Sequence, residues 1–285
     1  MKSEVHPLLK GEIQVHIVKS ELFGKLSCPD SFSELLSLVT QNKKSSYWNV
    51  SYWRGQGNID WPIDSAAIRR LRREDNTYPN PKNIQERDVC FYEQSLMDHA
   101  RKNLFDYDEH NRQLSDFELL AKMQHHGAAT RLVDFSKSVL VALFFCINET
   151  QNEDKYGLLL GVDTDIVGGH EDHFDFNLTY SDFVKRNEQR EALICISPPT
   201  VTNRISAQHA VFLCSHCVKG KYGSLYLEDD EMFYKFIGIS PEVKKECKEY
   251  LINYFDILHT SMFPDFSGYC GLNSTAWAIS AHTRW

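Results

Sequence analysis

What this sequence lacks narrows its class first. No apolar run approaches the roughly 20 residues that a membrane-spanning helix needs. The longest, Val139 to Ile147, has nine residues. The stretch Met1-Lys2-Ser3-Glu4-Val5-His6-Pro7 lacks the apolar core of a secretory signal. Both absences predict a cytoplasmic protein with no membrane partner. Positive charge is in the minority: 31 Lys and Arg against 39 Asp and Glu leave a formal charge of −8. Such a balance argues against a broad footprint on a nucleic-acid backbone. The run Ile68-Arg69-Arg70-Leu71-Arg72-Arg73 still leaves room for a local basic groove. There is no internal repeat, no low-complexity tract and no carboxylate cluster of the two-metal kind. No histidine pair has the four-residue spacing of the zinc-protease helix. No metal is expected.

The cysteines point the same way. All eight are scattered, several within apolar runs such as Phe144-Phe145-Cys146-Ile147, as buried reduced thiols would be. Cys214-Ser215-His216-Cys217 has the Cys-x-x-Cys spacing, but no second pair follows at zinc-finger distance. Strand-end thiols near a turn are the simpler reading, and a structural zinc is the alternative. His170, Asp172, His173 and Asp175 pose the same choice between a metal group and a solvated loop.

What is present is a core. In 285 residues, 42% are hydrophobic and 12% aromatic, enough for one large domain. Alternation predicts strands at 12–18, 47–53, 130–135, 156–162, 191–196, 206–213 and 232–237. Helical spacing predicts helices from Phe32 to about 42, around 65–67, and over 85–102, 116–126, 138–148 and 241–258. The last should turn Val243, Cys247, Tyr250, Leu251 and Tyr254 inward. Ser31 and Glu34 form a candidate capping box, and Gly127 suits the left-handed residue after a helix. Residues 163–187 read as polar and irregular, and the tail from Phe263 as turn-rich. Elements mix without regular strand–helix alternation, which predicts an α+β fold.

Two segments carry most of the chemistry. In Tyr52-Trp53-Arg54-Gly55-Gln56, an arginine closes an aromatic strand beside a glycine. That position suits a two-pronged grip on phosphate or carboxylate, or a structural ion pair. The second segment is Gln124-His125-His126-Gly127-Ala128-Ala129-Thr130-Arg131-Leu132-Val133-Asp134-Phe135-Ser136. Asp134 and Ser136 close a strand just before an apolar helix, so each is a candidate helix cap, a ligand contact, or both. Adjacent His125 and His126 point about 100° apart, and His125 is the better site candidate. A nuclease or other hydrolase using His125 and Asp134 is a further reading.

These segments, with Trp61 and Ala142-Leu143-Phe144-Phe145, resemble the FRG domain family. Arg204-Ile205-Ser206-Ala207-Gln208-His209-Ala210-Val211-Phe212 is similar to a later family block, with Ala210 where glycine is usual. Phe263-Pro264-Asp265-Phe266-Ser267-Gly268 resembles its closing segment. The likeness runs over roughly 45–272. It implies an extension over 1–44, an FRG domain over 45–272 with an insertion at 163–190, and a tail over 273–285.

Arg54-Gly55, then Asp134-Phe135-Ser136 leading to Ala142 and Phe145, then Gln208, also resemble in their order the Arg–Ser–Glu type of ADP-ribosyltransferase. That resemblance implies a split mixed or antiparallel sheet with flanking helices, and NAD as substrate. It implies catalytic roles for Arg54, Asp134, Ser136 and Gln208, and cofactor contacts from Arg54, Gly55, Gln56, His125, Thr130 and Arg131. It implies a macromolecular acceptor, protein or nucleic acid, a toxin or anti-phage defence role, and a neutralising or regulatory partner. Gln208 stands where that type has glutamate. An amide cannot act as base or supply negative charge, so a non-catalytic module binding nucleotide or nucleic acid is the alternative.

Overall fold

The computed structural model describes residues 15–40, 50–72, 84–148, 150–163, 174–188, 192–199, 202–216, 220–227 and 233–273. Expectations at 12–14, 41–49, Arg73, 75–81, 164–173, Cys217 and the tail beyond 273 lie outside the described residues.

Among the described residues, eight strands form one mixed sheet. They are β1 (Val15–Ser20), β2 (Gly24–Pro29), β3 (Val50–Gln56), β4 (Val133–Ser136), β5 (Gly157–Asp163), β6 (Ile194–Ile196), β7 (Ala210–Cys214) and β8 (Tyr234–Ile239). Their order across the sheet is β1-β2-β8-β5-β3-β4-β7-β6. Only β2 and β8 pair in parallel, and all other neighbours are antiparallel. The architecture is therefore α+β. The central strand β5 is buried along its whole length, as expected of Leu158-Leu159-Leu160 covered on both faces.

The join between β3 and β4 is narrow, as is that between β2 and β8, where Ser27 and Ile237 are the single paired position. β3 and β4 share a single paired position, Trp53 with Ser136. β3 pairs with β5 at six positions and β4 with β7 at four. The longer β5–β3 and β4–β7 ladders thus meet at one paired position, and the candidate site sits there.

The helices are α1 (Phe32–Thr40), α2 (Ala66–Leu71), α3 (Glu86–Lys102), α4 (Asp116–His125), α5 (Val139–Ile147), α6 (Tyr180–Asn187), α7 (Asn203–Ala207), α8 (Pro241–Tyr254), α9 (His259–Met262) and α10 (Phe266–Leu272). One face of the sheet carries a core of Tyr52, Val133, Phe135, Leu158, Leu160, Val211 and Leu213. A second core joins Trp53, Leu159, Ile237 and Ile239 to α1, α5 and α8. A third joins Leu132, Ile196, Phe212 and Cys214 to α3, α4 and α6.

Several expectations need correction. Arg54 and Gly55 lie within β3, not at its end. The strand expected over 206–213 begins at Ala210, because Asn203–Ala207 turns into a short helix first. Thr130 and Arg131 precede β4. The stretch expected to be irregular contains α6, which drives Tyr180 and Phe183 into the third core. The turn-rich tail contains α10, capped by Asp265. On α8, Val243, Cys247 and Leu251 face inward, while Tyr250 and Tyr254 are exposed. Glu34 closes its cap on the Asp30 amide rather than on Ser31. The short strand β2 went unforeseen.

The described cysteines are in the thiol form. Burial pushes Cys28 up to about 11 and Cys214 up to about 12, which keeps both neutral.

Candidate functional site

A cleft of about 610 Å³ opens where β3 and β4 meet. Trp53, Arg54, Gly55 and Gln56 of β3 border it, as do Asp134, Phe135 and Ser136 of β4. The end of α4 contributes Gln124 and His125, α5 contributes Ala142 and Phe145, and α7 with its cap contributes Arg204 and Gln208. Trp61, Pro62, Arg69, Ala210 and Phe263 complete the wall. Residues from Trp53 to Phe263 thus converge on one space, and 610 Å³ lies within the range of small-molecule sites.

Gly55 explains how the helix and strand approach so closely. A Cβ there would sit 1.9 Å from the Ala142 carbonyl oxygen and 2.8 Å from the Cys146 nitrogen. Glycine lets α5 lie directly on β3. The Arg-Gly pair therefore separates its tasks: Gly55 seats the helix and Arg54 borders the cleft.

Arg54 donates from Nη1 to the Asp134 backbone carbonyl at 2.8 Å, tying β3 to β4 beside their single paired position. The Asp134 side chain is exposed. Its Oδ2 accepts from Gln124 Nε2 at 2.9 Å. Gln124 Oε1 in turn accepts from the Thr130 hydroxyl at 2.7 Å, and that hydroxyl accepts from the Leu132 amide at 3.2 Å. The carboxylate is thus oriented by a relay reaching into the backbone before β4. Gln124 is a site residue that the family-based selection missed. The signal was its place one residue before His125 on the last turn of α4.

Ser136 reaches the cleft wall, but its hydroxyl is used structurally. It donates to the Gln208 carbonyl at 2.7 Å and accepts from the Ser138 amide at 3.0 Å. The helix cap is Ser138, not Asp134 or Ser136. Gln208 is buried and donates from Nε2 to the Met262 carbonyl at 2.9 Å. Its carboxamide oxygen and second N–H have no hydrogen-bond partner among the described contacts and are left to meet a ligand. The next residue, His209, takes the left-handed conformation at φ 46° and turns α7 into β7. Gln56 is buried, with Nε2 on the Trp61 carbonyl at 2.6 Å.

His125 is 8% exposed and stacks edge-on to Phe212. Its Nδ1 lies 3.1 Å from the Ala121 carbonyl, an acceptor, so Nδ1 carries the proton. Burial lowers its pKa more than the Asp134 charge raises it, which keeps the ring neutral. Arg204 frames the same corner. It forms a two-pronged pair with Asp265, donates to the His125 carbonyl at 2.8 Å and lies over the Phe263 ring. The hydrogen bonds from Arg204 hold the Asp265 carboxyl down to about 2.

Two expected ligand contacts are corrected. Thr130 is fully buried and acts through Gln124. Arg131 does not border the cleft. It is 4% exposed, pairs with Glu93 at 2.5 Å and Glu86 at 2.6 Å, and donates to Tyr180 at 2.6 Å. Such a buried ion network is a structural element of the third core. The arginine cluster is likewise engaged. Arg69 donates to the Asp64 carbonyl, Arg72 pairs with the Asp64 carboxylate, and Arg70 lies over Tyr92. Of these three, Arg69 reaches the cleft. Among the described residues no group of three or more His, Cys, Asp or Glu is arranged to hold a metal ion, and no helix is long and apolar enough to cross a membrane.

Fold and site together define an α+β protein with a cleft walled by aromatic and polar side chains where β3 meets β4. Residues 49–155 match the FRG domain, and the chain carries that domain. The match takes in Arg54, Gln124, His125 and Asp134, while Arg204, Gln208 and Phe263 come from beyond it. No curated protein and no solved structure matches the chain.

Proposed function

We propose that the cleft binds NAD⁺ as a substrate and transfers its ADP-ribose unit to a macromolecular acceptor. One observation carries this reading: Arg54, Asp134 and Gln208 border a single cavity of nucleotide size. Arg54 serves the pyrophosphate, for which a guanidinium is well suited. Trp53, Trp61, Phe145 and Phe263 offer aromatic surface to the rings of the substrate. As the bond to nicotinamide breaks, positive charge develops at the ribose anomeric carbon. The oriented Asp134 carboxylate stabilises that charge. The Gln208 carboxamide oxygen accepts from a ribose hydroxyl. Unrestrained consumption of NAD⁺ is harmful to a cell, which fits a toxin or anti-phage defence effector and calls for a neutralising or regulatory partner.

The test is incubation with NAD⁺ labelled on its adenylate half and a cell lysate. Label is expected on protein or nucleic acid. Absence of both NAD⁺ binding and NAD⁺ consumption rejects the reading.

A second reading is favoured by a specific contact. Gln208 carries no charge, and one of its amide N–H groups is committed to the Met262 carbonyl. A module that binds a nucleotide without turnover would use the same cleft. Saturable NAD⁺ binding with no product by mass spectrometry establishes it.

A further inference from the structure

We infer that His125 is the general base of this site, receiving through Nε2 the proton of the hydroxyl, water included, that attacks the ribose. The inference rests on the ADP-ribosyl transfer reading and supplies the role that Gln208 cannot fill. Three observations converge on it. His125 borders the cleft. Its Nδ1 proton is fixed on the Ala121 carbonyl, so Nε2 holds the lone pair. Nε2 is shielded from solvent and has no hydrogen-bond partner, although buried polar atoms are ordinarily paired. The donor that completes it is a group brought into the cleft.

The surrounding charges suit a base. Burial and the charges of Arg204 and His126 hold the ring neutral, while the nearby Asp134 carboxylate favours the imidazolium once a proton arrives. Phe212 and the Ala121 contact fix the ring plane. In the step itself, the acceptor oxygen forms a bond to the anomeric carbon, and its proton passes to Nε2. The carbon–nitrogen bond to nicotinamide breaks, and its electron pair neutralises the pyridinium. The imidazolium then returns its proton to solvent.

The test has two arms. In the first, ¹⁵N-labelled histidine NMR on the wild-type protein reads the tautomer without any substrate. A neutral ring protonated at Nδ1 is expected at pH 7, and a ring protonated at Nε2 or a persistent imidazolium overturns the role. In the second, NAD⁺ binding and nicotinamide release are measured for wild type and His125→Asn, whose amide can still donate to Ala121 but has no Nε2 lone pair. Binding is expected to persist while release falls by about a hundredfold or more. Wild-type release should hold above the ordinary imidazole value of about 6.5 and fall only below it. Undiminished release by a folded His125→Asn overturns the base role alone. Absence of release by wild type rejects the transfer reading and the base role with it.

Discussion

Gln124 donates to Asp134 across 2.9 Å, and its own carbonyl is held by Thr130 at 2.7 Å. Neither contact depends on a ligand, so the carboxylate is oriented before anything binds. Thr130→Val leaves Gln124 Oε1 without its donor and lets the amide turn. It is expected to lower the rate of nicotinamide release by up to about a hundredfold with little change in KM. Thr130→Ser keeps the hydroxyl and should behave as wild type. Steady-state kinetics on the three proteins checks this, and equal rates for Thr130→Val and wild type reject the relay.

Gly55→Ala is expected to be the most damaging single-methyl change at the cleft. The added carbon meets the Ala142 carbonyl at 1.9 Å, a backbone atom that cannot swing aside. Either α5 lifts or β3 bends, at a cost of about 3 kcal/mol. Urea unfolding measures it, and a change below about 1 kcal/mol means that the helix does not rest on this strand.

Arg131 supports the fold rather than the ligand. Arg131→Met leaves Glu93 buried at 0% exposure without its cation. The expected loss is about 3–5 kcal/mol, while the folded fraction keeps wild-type affinity for NAD⁺. A ligand-contact role would produce the opposite pattern, with stability retained and affinity lost.

The Arg204–Asp265 pair sets an acid limit. The folded Asp265 pKa, at about 2, lies below its ordinary 3.8. A depressed carboxyl contributes stability above the unfolded value and loses it as pH falls through the folded one. The stability gap between wild type and Asp265→Asn should therefore be full above about pH 4 and narrow toward pH 2. Unfolding midpoints across that range read it. A gap constant with pH means that the pair carries no ionic contribution.

Most of the elements could be read from the chain because their periodicity survives burial. Phe117, Leu120 and Met97 mark helical faces, and Leu158 to Val162 marks a strand covered on both sides. Arg54, Asp134 and Gln208 were singled out and do share one cleft. What stayed hidden depends on partners distant in sequence. Arg131 and Asp134 sit three residues apart in one motif, yet only Glu93 and Glu86 of α3 decide that the first is structural. Alternation ran through Ser206 to Leu213 and concealed the helix that places Gln208, because a five-residue helix is too short to show a period. The narrow join between β3 and β4 has no sequence signature, since register is set by pairing across the sheet.

The central claim is that Arg54 and Asp134 act on one NAD⁺ molecule, and quantified nicotinamide release tests it most directly. Wild type should release nicotinamide from NAD⁺. Arg54→Ala should lose release through weakened binding, and Asp134→Asn should bind NAD⁺ yet release at least about a hundredfold more slowly. Release by Asp134→Asn at the wild-type rate, or wild-type protein that leaves NAD⁺ intact, contradicts the account.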